Sequence, residues 1–388
     1  MTANPLPLKD VRVLERANGV AAAYAGRMLA TLGAETIMLE TQIGSELRRE
    51  PPFLTDSLSA TFAYLSVGKR SVVCDLARPD QREEFTRLLQ SSTIFIDDTP
   101  VAVRTQEKID FHALNPDLIY VSVLPFGAQG PKASWKGEEI NLIHASGEGY
   151  LLPNGLTLER FPERPPLKMF GNFMSYQAGV AAAAGALAAL LTAPCLKGQI
   201  VDISVQDISV ALGAMTLQRL GDGVLEHRAT RSFRYGGVFP CVDGQVEILT
   251  AEERQWDGLV KLLGDPKWSE DPSLSDASER ARRGEEINAE IRLWAHDKCA
   301  ADLVDLGQKL GVPIARFREP REILNGDHER VRGLFAPVSF PGVGTLATLV
   351  APLHLNGAAF PSPAPPPELG ADQHLLCGAE ISPRELAA

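Results

Sequence analysis

Two adjacent glutamates, Glu138 and Glu139, have a type and spacing that suggest chemistry. They stand before the apolar segment INLIHASGEG, which contains His144. Positioned carboxylates act as general acids or bases, but acidic residues also favour the first turn of a helix, where they complement its dipole. A histidine inside an apolar run is typically a hydrogen-bonded core residue. The glutamates are therefore candidate catalytic residues with a structural alternative, and His144 is predicted to lie in the core.

A basic pair, Lys69 and Arg70, precedes a predicted strand and is a candidate for anion binding, with a solvent-exposed surface as the alternative. The Gly-Pro loop PFGAQGP at 125–131 contains Gly127, a further candidate for ligand contact. Familiar enzyme motifs are missing from the sequence: the segment GKR is not a P-loop, and no G-x-G-x-x-G, H-E-x-x-H or G-x-S-x-G occurs. The seven histidines have no metal-ligand spacing, so no metal site is expected.

Residues 169–190, MFGNFMSYQAGVAAAAGALAAL, carry the clearest helix signal. Alanine is the strongest helix former, and the apolar run near 178–192, which is mostly alanine, is better explained as a buried helix than as a membrane span. The start of this helix contains no carboxylate, histidine or cysteine, and its polar residues include Asn172 and Ser175. The stretch therefore predicts a well-packed helix whose first turn lacks an obvious reactive group.

Composition narrows the class of protein. The chain has 388 residues and a net charge of -11, so it lacks the basic excess that a nucleic-acid partner requires. Five widely spaced cysteines indicate free thiols in a reducing compartment. No signal peptide is evident at the N-terminus. We expect a cytoplasmic enzyme without nucleic-acid or membrane partners.

Alternating strand and helix patterns place these residues on a doubly wound α/β fold. Predicted strands lie at 11–15, 34–40, 70–76, 93–98 and 117–127, and predicted helices lie at 21–33, 80–92 and 176–192. A strand, a helix and a second strand within about 30 residues make a βαβ unit with a parallel sheet. We predict a large Rossmann-like domain at 1–224 and a smaller α+β domain at 225–315. Residues 316–388 return to the large domain with a Pro-rich strap.

Taken in order, several segments resemble the class III CoA-transferases, the CaiB/BaiF family. They include LKDVRVLE, LATLGAETIMLE, SVGKRSVVCDLARPD, LNPDLIYVSVLPFGAQGP, KGQIVDISV, GVPIARFREPREI and PAPPPELGADQHLL. The resemblance implies an acyl-CoA and a carboxylic acid as substrates. It also implies two chains threaded as interlocked rings, in a homodimer or in a heterodimer with an aspartate-bearing paralogue.

The resemblance also implies positions for coenzyme A. Lys69 and Arg70 match the family's N-x-x-K-R-S region, and Arg104 is a further candidate. Arginine and lysine suit phosphate groups, which accept charge-assisted hydrogen bonds. Gly236 and Gly237 are candidates for a glycine loop, and with Gly127 they complete the expected CoA-binding residues.

The family's transferases carry an aspartate in the first turn of the Ala-rich helix, where it attacks the donor thioester. Counting back without gaps places this position at Ser175, and a small gap moves it to Asn172; no aspartate occurs between residues 161 and 201. In the family's racemases a histidine stands where this chain has Glu138, whereas Glu139 keeps an acid found in the transferases.

Three hypotheses follow from the resemblance. The chain is the aspartate-lacking subunit of a heterodimeric CoA-transferase, or a diverged acyl-CoA enzyme (lyase, hydratase or isomerase) that uses Glu138 or Glu139 as a base. In that second hypothesis, N–H groups around 172–175 stabilise an enolate. The third hypothesis is a non-catalytic acyl-CoA binding protein. A nucleophilic Ser175 is a fourth possibility that requires an adjacent base, for which His144 is the nearby candidate in sequence.

Overall fold

The computed structural model describes residues 6–151, 163–165, 167–213, 235–357 and 360–376. The chain forms two compact units. The larger comprises Met1–Gly149, Leu167–Asp222 and Asp327–Ala388, and the smaller comprises Tyr150–Pro166 and Gly223–Gly326. The predicted domain boundary at 224–225 lies outside the described residues.

A six-stranded parallel sheet organises the larger unit and confirms the α/β prediction. Its strands are β1 (Arg12–Arg16), β2 (Glu35–Glu40), β3 (Arg70–Val73), β4 (Ile94–Asp97), β5 (Ile119–Leu124) and β6 (Ile200–Ser204). Their order is β3-β2-β1-β4-β5-β6. The direction of winding reverses between β1 and β4, and ligands of open α/β sheets bind beyond the carboxyl ends of strands at such a reversal.

Helices connect these strands. They are α1 (Val20–Thr31), α2 (Ala60–Ser66), α3 (Pro79–Gln90), α4 (Val101–Glu107), α5 (Phe111–Leu114), α6 (Glu139–Ala145), α7 (Phe173–Thr192) and α8 (Val205–Leu212). The Ala-rich segment is α7, which begins three residues before the predicted start. The contact between α7 and α1 leaves no room for a side chain at Gly179, because a Cβ atom added there would lie 2.7 Å from the Ala21 carbonyl oxygen.

Among the described residues, α7 is the helix whose length and hydropathy suit a membrane span. These two properties are weak evidence, since core helices share them. Ala178, Ala182 and Ala186 are buried in the larger unit, as the core of a folded domain requires.

The smaller unit has a three-stranded antiparallel sheet of β7 (Gly237–Cys241), β8 (Gly244–Ile248) and β9 (Ile314–Arg316). Its helices are α9 (Glu253–Leu262), α10 (Ala277–Arg282), α11 (Gly284–Ala295), α12 (Ala300–Lys309) and α13 (Pro320–Leu324). Pairing of Cys241 with Gly244 leaves Val242 and Asp243 in the hairpin turn.

The remaining elements belong to the larger unit and are α14 (Asp327–Val331), β10 (Phe335–Phe340) and β11 (Gly344–Leu349). A Pro-rich segment then runs along the edge strand β3. The Asp372 carboxylate accepts the Ser71 N–H at 2.9 Å, and the Gln373 amide exchanges two 2.9 Å hydrogen bonds with the Val73 backbone. These side chains stand in for a neighbouring strand and cover an edge that would otherwise be unpaired.

Candidate functional site at the N-terminus of helix α7

The first turn of α7 is capped by a carboxylate from another helix. One oxygen of Glu139 accepts the Met174 N–H at 2.7 Å. Its other oxygen accepts the Ser175 N–H at 3.1 Å and the Ser175 hydroxyl at 2.8 Å. Asn172, the residue before the helix, makes no capping bond to it. Glu139 thus satisfies two N–H groups that the helix itself leaves unpaired and complements the helix dipole.

Glu138 has a different role in the structure from its neighbour. Its side chain caps the first turn of α6, and its own N–H donates to the Asn141 side chain at 3.2 Å. This reciprocal arrangement is a capping box, and it corresponds to the structural alternative considered for the glutamate pair. The Glu138 side chain is exposed. The two glutamates therefore cap two different helices, Glu138 capping α6 and Glu139 capping α7.

A third glutamate, Glu50, lies near the start of α7. The sequence did not identify it as a site residue. Its carboxylate lies beside the Asn172 side chain. Burial raises the pKa of Glu50, and the nearby charge of Glu138 adds to the rise. No sequence spacing links Glu50 to α7, because the two are brought together only by the fold. We call Glu50, Glu138 and Glu139 the acidic cluster.

His144 is exposed, contrary to its predicted place in the core. It lies on the last turn of α6, away from the buried side formed by Leu142 and Ile143. The Ser175 hydroxyl donates a hydrogen bond to the Glu139 carboxylate. Glu139 is the position at which the resemblance expects an acid in the transferases. The structure thus brings together Glu139, Ser175 and Asn172 from the predicted site residues.

Lys69 is completely enclosed, which does not fit the predicted contact with a phosphate. Its ammonium group donates to both oxygens of Glu15, at 2.7 and 2.8 Å, and to the Ala23 carbonyl at 2.7 Å. Burial raises the pKa of Glu15 and lowers the pKa of Lys69, while their mutual attraction opposes both shifts. Gly26 of α1 leaves room for this pair, since an added Cβ atom would collide with the Glu15 carboxylate.

The other two predicted cations are also held by acidic residues. Arg70 pairs with Asp372 at 3.2 Å and with Glu35 at 3.4 Å. Arg104 contacts the buried Asp97 at 3.2 Å and donates to the Ser122 hydroxyl at 2.8 Å. Each guanidinium therefore links strands or helices of the larger unit. Neither is a free cation for the predicted phosphate contact.

The predicted glycines lie in two different units. Gly127 follows β5 with a φ of +76°, a backbone conformation that favours glycine. Gly236 and Gly237, with φ of +93° and +118°, lead into β7 of the smaller unit. The Gly236 N–H donates to the Asn288 side chain at 2.8 Å, and an added Cβ atom would lie 2.6 Å from the Ile248 carbonyl oxygen. This contact gives Gly236 a structural reason to be glycine.

Asp98 occupies the reversal point of the sheet, at the N-terminus of α1. Its carboxylate accepts the Gly19 N–H at 2.7 Å and the Asn18 N–H at 2.9 Å. Burial raises the pKa of Asp98 to about 7, with a further rise from Asp97 and Glu15. Free N–H groups at such a helix start bind phosphate in nucleotide-binding folds. Here the chain's own carboxylate binds the two N–H groups immediately before α1.

Replacing Glu139 by alanine is expected to lower the free energy of unfolding by about 1–2 kcal/mol, because two N–H groups of α7 lose their acceptor. Urea denaturation at pH 7 measures the change. Glu139→Gln is the control, since its amide oxygen keeps one acceptor and the loss should be smaller. Wild-type stability in Glu139→Ala would contradict a capping role.

Comparisons with known proteins bear on the family and the fold. The family model "CoA-transferase family III" matches residues 8–373. A probable CoA-transferase of Mycobacterium tuberculosis is 30% identical over 353 residues, covering 87% of this chain and 43% of that relative. Succinyl-CoA:mesaconate CoA-transferase of Haloarcula marismortui is 28% identical over 374 residues, covering 92% of this chain and 91% of the relative.

Subunit BbsE of succinyl-CoA:(R)-benzylsuccinate CoA-transferase from Thauera aromatica is 25% identical over 324 residues, covering 78% of this chain and 76% of that subunit. Among solved structures, a CaiB/BaiF family protein from Brucella suis has a TM-score of 0.81 and 24% identity, covering 96% of this chain and 99% of that chain. At this identity the structural likeness shows the fold. The family model spans nearly the whole sequence, and the chain belongs to CoA-transferase family III.

Proposed function

We propose that this chain binds an acyl-CoA and is the aspartate-lacking subunit of a heteromeric CoA-transferase. One observation carries the proposal. The start of α7 presents Asn172, just before the helix, and Ser175, in its first turn, where the family resemblance expects a nucleophilic aspartate, and Glu139 caps that turn from α6. A second chain of the family that keeps the aspartate would supply the covalent step.

The hydrogen bonds of Glu139 count against the diverged-enzyme hypothesis. Stabilising an enolate requires N–H groups that point at the developing negative charge. The N–H groups of Met174 and Ser175 already donate to Glu139. A thioester oxygen would have to displace a carboxylate that makes three hydrogen bonds, so this helix start is poorly suited to serve as an oxyanion hole.

The same bonds limit Glu139 as a base or nucleophile. Both of its oxygens already accept hydrogen bonds from the start of α7, so these bonds would have to break before Glu139 could attack a thioester or take up a substrate proton. Glu139 therefore supports a site in which it holds the start of α7 in place rather than one in which it performs the covalent step. The subunit name of the Thauera relative is consistent with family members that act in heteromeric enzymes.

The test combines the purified chain with a panel of acyl-CoA donors and carboxylic acids and measures new CoA esters by mass spectrometry. The chain alone should form none. The chain mixed with an aspartate-bearing family member should transfer CoA, and an aspartate-to-asparagine change in that partner should abolish transfer. A new CoA ester formed by this chain alone would overturn the proposal and assign the chemistry to Ser175 or Glu139.

A further inference from the structure

The fold brings together two cysteines of the smaller unit, Cys241 and Cys299, that are far apart along the chain. Cys241 ends β7, and Cys299 is the residue immediately before α12. The Val242 N–H donates to the Lys298 carbonyl at 3.0 Å, so one backbone hydrogen bond joins the residue after the first cysteine to the residue before the second. By standard backbone dimensions, this bond limits the separation of the two cysteine Cα atoms to roughly 8 Å at most.

Asp243 links the hairpin turn to the start of α12. One of its carboxylate oxygens accepts the Ala300 N–H at 2.7 Å, and the other accepts the Cys299 thiol at 3.2 Å. Burial raises the pKa of the Cys241 thiol, and the charges of Asp243 and Cys299 add to the rise. The two thiols are thus close enough for a negative charge on one to disfavour a charge on the other, and Asp243 holds the Cys299 sulfur against the hairpin turn.

Both thiols can be reached from solvent, because Cys241 and Cys299 are each half-buried. Cys241 also packs against the core of the smaller unit, which holds its side chain in place. The other described cysteines, Cys74 and Cys195, belong to the larger unit. An accessible thiol with a second thiol beside it can be oxidised to an internal disulfide, and redox-sensing cysteines are often arranged in this way.

We propose that Cys241 and Cys299 are a redox-sensitive pair that forms a reversible disulfide between the end of β7 and the start of α12. The oxidant is a low-molecular-weight disulfide. The thiolate of one cysteine attacks a sulfur of this reagent, which forms a mixed disulfide and releases one thiol of the reagent. The second cysteine loses its proton and attacks the protein sulfur of the mixed disulfide, which forms the internal S–S bond and releases the second thiol. The protein loses two electrons and two protons, and the reagent gains them.

The bridge closes a long loop that contains β8 and the helices α9, α10 and α11. Bridged cysteines have Cα atoms roughly 4–7 Å apart, so forming the bond requires at most a small movement of the hairpin end. Closing a long loop restricts the unfolded chain and stabilises the folded state. The oxidised chain should therefore resist unfolding better than the reduced chain. This inference goes beyond the proposed function and does not depend on it, because neither cysteine belongs to the candidate site.

The experiment incubates the full-length chain with glutathione disulfide, alkylates the remaining thiols and identifies proteolytic peptides by mass spectrometry. We expect a peptide pair joined by a disulfide between Cys241 and Cys299, which dithiothreitol separates. Cys241→Ser should instead leave glutathione attached to Cys299, and Cys299→Ser should leave it attached to Cys241. Cys195→Ser is the matched control, because Cys195 is an exposed cysteine of the larger unit and its loss should leave the bridge unchanged.

Thermal unfolding supplies a second readout. Oxidation is expected to raise the melting temperature by about 5 °C, dithiothreitol should reverse the rise, and neither Cys241→Ser nor Cys299→Ser should show it. Unreacted thiols at both positions, or glutathione on both without an internal bridge, would overturn the pair. A disulfide that forms only between chains, or that leaves the melting temperature unchanged, would also overturn it. These readouts do not involve coenzyme A, so a failure here leaves the proposed function intact.

Discussion

Replacing Lys69 by methionine is expected to lower the free energy of unfolding by about 3–5 kcal/mol. The ammonium group and the Glu15 carboxylate are both enclosed, with side chains at most 2% exposed. Removing the lysine leaves a carboxylate in the interior with no opposite charge, and such a group retains its desolvation cost without compensation. Urea denaturation at pH 7 measures the loss as a lower transition midpoint.

The double variant Glu15→Leu with Lys69→Met separates the ion pair from packing. Replacing both partners by apolar groups removes the buried charge, so the double variant should recover most of the stability lost in Lys69→Met. A variant Lys69→Met that unfolds at the wild-type midpoint but binds coenzyme A much more weakly would contradict this account. That result would instead support Lys69 as a phosphate ligand.

The strands and helices of the larger unit could be predicted because their signals are local. Buried parallel strands appear as continuous apolar runs, and the alanines of α7 favour a helix without any tertiary partner. The strand predicted at 70–76 ends at Val73, where the amide of Gln373 pairs with the backbone. That partner comes from the far end of the chain, so no local pattern could indicate where β3 stops.

The candidate site was only partly predictable for the same reason. The resemblance led to Glu139, Asn172 and Ser175, which the structure places together. It did not lead to Glu50, whose contact with Asn172 exists only in the folded chain. A basic side chain in a sequence also carries no sign of its partner, and Lys69 was interpreted as a ligand contact because Glu15 lies far from it along the chain.

The replacement Asp98→Asn is expected to stabilise the protein at pH 8 by about 1–3 kcal/mol. Burial raises the pKa of Asp98 to about 7, whereas an aspartate in the unfolded chain titrates near 3.8. The folded state therefore holds the proton more tightly than the unfolded state. The charged carboxylate therefore lowers the free energy of unfolding. This loss of stability is absent below about pH 3.8, grows between pH 3.8 and pH 7, and is fully present above about pH 7. An asparagine carries no charge and avoids this loss.

Thermal or urea unfolding at pH 4, 6 and 8 measures this difference, which should shrink as the pH falls. Asp80→Asn is the control, because the Arg78 hydrogen bond lowers the pKa of this exposed carboxyl and gives a small effect of opposite sign. If Asp98→Asn were less stable than the wild type at pH 8, the hydrogen bonds from the Asn18 and Gly19 N–H groups would outweigh the cost of burying the charge. Asp98 would then act as a helix cap that needs its charge, and the reversal point of the sheet would be closed by a stabilising anion.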